Sequence, residues 1–336
     1  MTTILVKTTI TEYNVDMESV GLFDRSYVGR LKITGFDGID LIDRLSTNKV
    51  RDLTDGQGMY TVLTSNKGRI LDLLFVLKFE NHLSLLTGYN NQSEVINWIN
   101  YYTFTEDVAI VDETKDTVLF TLVGPHAINL LNGCVSQRIT LLREYESTFA
   151  DIDGTDVLIC RTDSINAESY DIIAPLAQSK QIWNRLATRI SELKLKSMSM
   201  ETLEILRIEQ GMPMYGKELT DEFNPLEANL KKFISFNKGC YVGQEVITRL
   251  DTYNKVQKNL VGLSGMNSEP PDEGAFIFSD DKKVGQITSA IKSAQAHKWI
   301  GLGYVRKQYS ESGTSLIMMD TDVDTAKVLI EPLPFK

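Results

Sequence analysis

From about residue 250 onward the chain consists of short apolar segments, 260–264, 275–278, 284–290, 299–305, 315–318 and 326–330. Polar turns containing glycine or proline separate them, such as Glu269-Pro270-Pro271-Asp272-Glu273-Gly274. Segments of this length and spacing read as strands. The pattern predicts a compact all-β terminal domain, a small barrel, and sets a boundary that divides the chain into residues 1–252 and 253–336.

The part before the boundary is written differently. Strand-like runs at 29–34, 59–64, 70–79, 83–87, 108–111 and 117–123 alternate irregularly with helical patterns at 38–45, 94–102, 179–193 and 200–210. In the third helical pattern Ile182, Trp183, Leu186, Ile190 and Leu193 form one stripe, which predicts a core-packing helix. The fourth runs into Gly211 and then Pro213, a natural helix stop. No regular βα repeat is present, so the expectation is α+β lobes and not a doubly wound sheet. The total of 336 residues, 42% of them hydrophobic, suffices for several cores.

Charge and cysteine usage narrow the function. Lys plus Arg number 35 and Asp plus Glu 45, a net charge of −10 that repels nucleic acid overall. Cys134, Cys160 and Cys240 are far apart and His82, His126 and His297 are the only histidines, so neither a disulfide framework nor a resident metal site is expected. The opening run, residues 1–7, alternates like a short strand and carries no targeting pattern, and no run reaches membrane-spanning length. A soluble, cytoplasmic protein is expected.

Three runs carry candidate chemistry. In Lys238-Gly239-Cys240-Tyr241-Val242-Gly243-Gln244-Glu245, Cys240 falls on a glycine-flanked turn ahead of a helix start, after a strand-like Phe233-Ile234-Ser235-Phe236. Backbone N–H groups and the Lys238 ammonium there would favour a thiolate; the alternative is a small buried hydrophobe. In the run 206–220, Arg207, Glu209 and Glu218 flank the helix stop and a Pro/Gly-containing loop, either as pocket residues or as a structural charge network. In the run 60–72, Lys67-Gly68 marks a hairpin and Asp72 enters an apolar strand. An acid there is aimed at a cavity or is an edge-strand charge, and the bare sequence favours the edge.

Together these runs resemble the folate-binding family that joins the glycine-cleavage T-protein (aminomethyltransferase) to the YgfZ-type proteins. The stretch 238–245 looks like the YgfZ signature, and Ile330-Glu331-Pro332-Leu333-Pro334-Phe335 is similar to the YgfZ C-terminus. Gly21-Leu22-Phe23-Asp24-Arg25-Ser26 and the run 206–216 look like T-protein landmarks. The resemblance implies a three-domain cloverleaf, two α+β lobes plus a C-terminal β-barrel, around a central site for tetrahydrofolate or a derivative. For YgfZ-type members it implies assistance to iron-sulfur cluster assembly or repair, with iron-sulfur proteins or assembly factors as partners. Cys240 then matches the required cysteine and Lys238 the lysine near the folate. For T-proteins it implies one-carbon transfer to the folate, and Asp72 and Tyr60 match the aspartate and tyrosine of that pocket. Arg207 and Glu209 belong to the matching helix end. Where a T-protein carries Gly-Tyr-Thr-Gly-Glu before its pterin-binding glutamate, this chain reads Thr162-Asp163-Ser164-Ile165-Asn166-Ala167-Glu168-Ser169-Tyr170-Asp171, which leaves Asp171 as the shorter stand-in, and Leu203 stands near an expected arginine. A basic path for an anionic folate tail would draw on Lys231, Lys232, Lys238 and Arg249, the first two of which read first as a solvated face.

Overall fold

The computed structural model describes residues 19–139, 142–162, 168–266, 269–293, 298–319 and 326–335. The strand reading of residues 1–7 lies outside them.

The first described strands cross between two sheets. Strand β1 (Ser19–Asp24) belongs to one sheet and β2 (Val28–Thr34) to another, with only Arg25, Ser26 and Tyr27 between them. Sheet one is completed by β3 (Gly58–Thr64), β4 (Ile70–Phe79), β5 (His82–Tyr89) and β6 (Ala109–Asp112), in the antiparallel order β3-β4-β5-β2-β6. Helices α1 (Gly38–Leu45) and α2 (Gln92–Tyr101) cover one face. Leu41, Ile42 and Leu45 of α1 and Val95 and Ile99 of α2 are buried against Leu74, Val76 and Leu85 of the sheet.

The second sheet receives β7 (Thr117–Val123), β8 (Ser147–Ile152), β9 (Thr155–Arg161), β10 (Ser169–Pro175) and the two-residue β11 (Lys196–Ser197), with β1 held between β7 and β11. Helices α3 (Ala127–Asn132) and α4 (Ser179–Glu192) cover its outer face, and the expected stripe of α4 buries Ile182, Leu186 and Ile190. The inner faces of the two sheets meet through Phe75, Leu77 and Leu86 on one side and Leu119 and Cys160 on the other. Arg30 fastens the crossing. Fully buried on β2, it donates to the Ser26 carbonyl (3.2 Å) and to the carbonyl (3.0 Å) and hydroxyl (2.7 Å) of Thr117, tying both interlobe connections together.

Helix α5 (Met200–Glu209) leads out of the second lobe, capped by the Ser199 hydroxyl accepting from Thr202 N–H, and stops at Gly211 with φ +67°. An irregular segment follows, then α6 (Gln244–Thr252). Strands β12 (Lys258–Gly265), β13 (Phe276–Ser279), β14 (Lys282–Lys292), β15 (Trp299–Arg306), β16 (Ser315–Met319) and β17 (Ala326–Glu331) form a closed antiparallel barrel, with β12 pairing β17 to close the ring. Closure leaves no exposed edge, which is how strands this short become stable. The expected α+β architecture with two lobes and a terminal barrel is therefore present. We propose that the division between the lobes and the barrel lies at residues 252/253, between the last turn of α6 and β12.

Two expectations need correction. Phe233-Ile234-Ser235-Phe236 is not a strand: a 3-10 turn, Lys231–Phe233, precedes an irregular stretch. Phe233 and Ile234 are buried in different clusters, and instead of a ladder the backbone meets Thr47 alone, the Ser235 N–H donating to its carbonyl and the Phe233 carbonyl accepting its hydroxyl. Asp72 is not an edge charge, because β4 is flanked by β3 and β5. Among the described residues no helix is long and apolar enough to cross a membrane.

Candidate functional site

A cleft of about 220 Å³ opens where the two lobes meet α5 and the loop after it. Each element brings its own side chains. The crossing between β1 and β2 supplies Arg25 and Tyr27, β3 supplies Tyr60, β4 supplies Asp72 and Phe75, and the end of β5 supplies Gly88 and Tyr89. The second sheet contributes Thr121 and Asp171, and α5 with its loop contributes Leu203, Arg207, Met212, Met214 and Tyr215. The walls are thus aromatic and sulfur-containing, with a few convergent charges, a composition suited to a flat polar heterocycle.

Asp72 is completely buried, yet its carboxylate is fully engaged. Oδ1 accepts the Leu73 N–H at 2.8 Å; Oδ2 accepts the Gly88 N–H at 2.8 Å and the Asn91 side-chain amide at 3.0 Å. Burial outweighs these bonds and raises its pKa to about 6. Gly88 permits the close approach: a Cβ there would stand 2.4 Å from Tyr215 Cβ and 2.9 Å from Asp72 Oδ1.

Asp171 sits across the cleft. It lies opposite Thr121 in the β10/β7 register and accepts that hydroxyl at 2.6 Å, with the Arg25 guanidinium 3.4 Å away. Burial raises its pKa, with Arg25 and the Thr121 hydroxyl pulling the other way. Tyr60 pairs with Phe75 across β3 and β4, ring centroids 4.8 Å apart, and burial beside Asp171 pushes its phenol well up. Arg207 is buried and multiply bonded: to Glu204 (2.7 and 2.9 Å), Glu218 (3.0 Å), Ser289 on β14 (2.9 Å) and the Met212 carbonyl (2.7 Å).

Four of the sequence-derived residues, Asp72, Tyr60, Asp171 and Arg207, therefore line one cleft. Glu209 does not. It is half-buried at the end of α5, its carbonyl accepting the Phe335 N–H at 2.8 Å, and burial raises its carboxyl pKa. Glu218 is fully buried and bound to Arg207, Thr288, Ser289 and the Met214 N–H, a structural network joining the barrel to the cleft loop.

Lys238 and Cys240 line a different cavity with Asp43, Lys49 and Arg51. The Lys238 ammonium is buried and donates to the carbonyls of Asp43 (2.6 Å), Ser46 (3.0 Å) and Asn48 (2.5 Å), with the Asp43 carboxylate 3.2 Å away. It caps the carbonyl end of α1, where a cation is favoured. Burial lowers its pKa, opposed by Asp43. Cys240 is exposed on the turn before α6, as the glycine flanks suggest, and not a buried hydrophobe. Gly243 closes that turn at φ +87°, where a Cβ would meet Ser65 O at 2.6 Å. Lys231, Lys232 and Arg249 are exposed, and Lys231 pairs with Asp251.

Arg25 and Thr121 were not singled out in the sequence. Arg25 had a visible signal in the T-protein-like run 21–26, whereas Thr121 is an unremarkable strand residue whose role comes from register alone. Of the segment 162–171, residues 163–167 lie outside the described part; the ends bring Asp171 onto β10.

The architecture is that of a T-protein. A crystal structure of the glycine cleavage system aminomethyltransferase T from Bartonella henselae superposes with a TM-score of 0.84 over 96% of this chain and 88% of that one, at 19% identity. The family model described as GCVT N-terminal domain matches residues 3–238, and the glycine cleavage T-protein C-terminal barrel domain matches residues 258–335. The chain belongs to the glycine cleavage T-protein family. Among relatives, "Putative transferase At1g60990, chloroplastic" of Arabidopsis thaliana is 32% identical over 303 residues, 88% of this chain and 68% of its own length. Aminomethyltransferases of Halalkalibacterium halodurans (27%, covering 91% of this chain and 84% of theirs) and Bacillus subtilis (28%, 95% and 87%) are similar over nearly the whole length.

Proposed function

We propose that this protein binds tetrahydrofolate in the central cleft and serves as a folate-dependent aminomethyl or one-carbon transferase. The observation that carries this reading is Asp72: a carboxylate buried in a cleft between lobes, with a pKa near 6, facing a second buried carboxylate across aromatic walls. The donor chemistry fits a reduced pterin, whose ring N–H and amino groups need acceptors and whose faces need flat apolar partners. Bound tetrahydrofolate would supply a ring nitrogen that takes up the transferred carbon. Asp171 would accept pterin N–H protons, held in place by Thr121 and Arg25, while Tyr60 and Phe75 form the stacking wall. Asp72 would hold and accept a proton near the reacting nitrogen, its ionisation tuned close to neutral pH. Arg207 shapes the floor through its bonds to Glu204 and Met212, and Glu209 would contribute through the helix end that carries Arg207.

The test is an anaerobic calorimetric titration with tetrahydrofolate. Saturable binding is expected, weakened about tenfold or more by Asp171→Ala, which removes a charge-assisted acceptor. Absence of binding at millimolar folate would overturn the reading.

A second reading, YgfZ-like help in iron-sulfur assembly or repair, is favoured by Cys240, an exposed thiol on a glycine-framed turn in a cavity separate from the cleft. It would engage iron-sulfur proteins or assembly factors in the cytoplasm, a compartment that suits three free cysteines. Depletion in the host should then lower iron-sulfur enzyme activity, with Cys240→Ala failing to restore it; unchanged activity on depletion removes this reading.

A further inference from the structure

Arg25, Arg30 and Arg207 all stand near the junction of the lobes, but they are not equally engaged. Arg30 uses all three guanidinium nitrogens, on carbonyls and the Thr117 hydroxyl, at distances up to 3.2 Å. Arg207 also uses all three, at 2.7 to 3.0 Å. Arg25 does not. Its bonds to the neighbouring strands run from Nη1 alone, to the Thr121 hydroxyl at 3.3 Å and to Asp171 Oδ1 at 3.4 Å, both longer than an ordinary N–H···O bond. The Tyr27 phenol, on the same crossing, is a further neighbour. The side chain keeps 26% of its surface exposed and lines the central cleft.

Asp171 is under-used in the same way. Its side chain is only 6% exposed, and Thr121 and Arg25 both meet Oδ1, which leaves Oδ2 without a hydrogen-bond donor among the described residues. An acceptor this deeply placed needs a donor, and the residue lines the cleft from which one can come. The free acceptor and the free guanidinium donors therefore lie side by side, next to the Tyr60 phenol on which both charges act. Because the two charges cancel, the pair suits an uncharged ring edge that carries an N–H beside a carbonyl oxygen. A ligand carboxylate at Arg25 would instead be repelled by Asp171.

A 4-oxo pterin has such an edge, N3–H beside O4. We propose that Arg25 contacts the ligand directly, donating to the 4-oxo oxygen while Asp171 Oδ2 accepts from N3–H, so that the cleft selects 4-oxo over 4-amino pterins. This rests on the folate reading and goes beyond it, since there Arg25 only steadies Asp171. A 4-amino pterin sets its amino group against the guanidinium and its N3 lone pair against Oδ2, donor on donor and acceptor on acceptor. Turning that ring over to offer a protonated N1 to Asp171 leaves Arg25 without an acceptor.

Tetrahydrofolate and its 4-amino counterpart, tetrahydroaminopterin, differ at this edge alone. In anaerobic calorimetric titrations the wild-type chain is expected to bind tetrahydrofolate about tenfold or more tightly than the 4-amino compound. Arg25→Met should lose about tenfold in tetrahydrofolate affinity and close that gap. Arg25→Gln, whose amide can either donate or accept, should bind the two compounds alike and carries the test if Arg25→Met does not fold. An arginine that merely steadied Asp171 would, on removal, weaken both ligands by the same factor. Equal binding by the wild-type chain, or an unchanged ratio in the variants, overturns the proposal and leaves the folate reading standing. Absence of tetrahydrofolate binding to the wild-type chain at millimolar concentration removes the folate reading and this proposal with it.

Discussion

Asp72 shows how one residue's meaning depends on what surrounds it. In the sequence it is an acid inside an apolar strand; in the fold it has a strand on each side, three N–H donors and no solvent, so its ordinary carboxyl pKa moves up to about 6. A carboxyl whose folded pKa lies above its unfolded value binds protons more tightly when folded, so stability falls as pH rises from about 4 through about 6. Asp72→Ala is expected to flatten this decline in urea unfolding measured across that window. If Asp72 accepts a proton in transfer, kcat/KM should rise with pH through about 6 and level off, and a profile flat from pH 5 to 8 would remove that role. Lys238 is the opposite case. The resemblance placed it near a ligand, but its ammonium is consumed by three carbonyls at the end of α1. Lys238→Met should cost about 1–3 kcal/mol in chemical denaturation, since it strands buried acceptors.

At the level of elements, local pattern is a good guide where a segment is amphipathic with the helical period or apolar along nearly its whole length. The 38–45, 70–79 and 117–123 readings coincide with α1, which buries one face, and with β4 and β7, which are apolar runs with no exposed position. It missed β8, β9 and β10, whose hydrophobic alternation is diluted by Asp151, Asp156 and Asp171 and broken by the turn between β8 and β9. It also turned residues 233–236 into a strand, since a local apolar run cannot reveal that its members are buried against different neighbours. The end of β5 illustrates an element that serves the site by what it lacks. With alanine in place of Gly88, a methyl group would collide with Tyr215 and Asp72. Gly88→Ala is expected to displace the Tyr215 loop, at a cost of about 1–3 kcal/mol in stability, and to weaken tetrahydrofolate binding about tenfold in calorimetry.

For the whole molecule, the central fact is that the chain crosses between lobes at its first described strands and later sends its barrel back against the same junction. Glu218 locks that return. Fully buried, it joins Arg207 and the Met214 N–H on the cleft side to Thr288 and Ser289 on the barrel. Removing one partner of such a network leaves buried charge and donors behind. Glu218→Ala is expected to lower unfolding stability by about 3 kcal/mol or more and to make barrel and lobes melt less cooperatively, as read by scanning calorimetry.

What the sequence determined by itself is the kind of material each segment is. Strand and helix periods, helix stops at Gly211, turn glycines and the family-like runs are local patterns, and local patterns are set by residues a few positions apart. The tertiary structure alone decided which of those segments share a wall. It brought Arg25, Tyr60, Asp72, Asp171 and Arg207 into one cleft and sent Lys238 and Cys240 to another cavity. The physical reason is that charge, burial and hydrogen bonding depend on distance in space, and the crossing of β1 between sheets makes distance along this chain a poor measure of it.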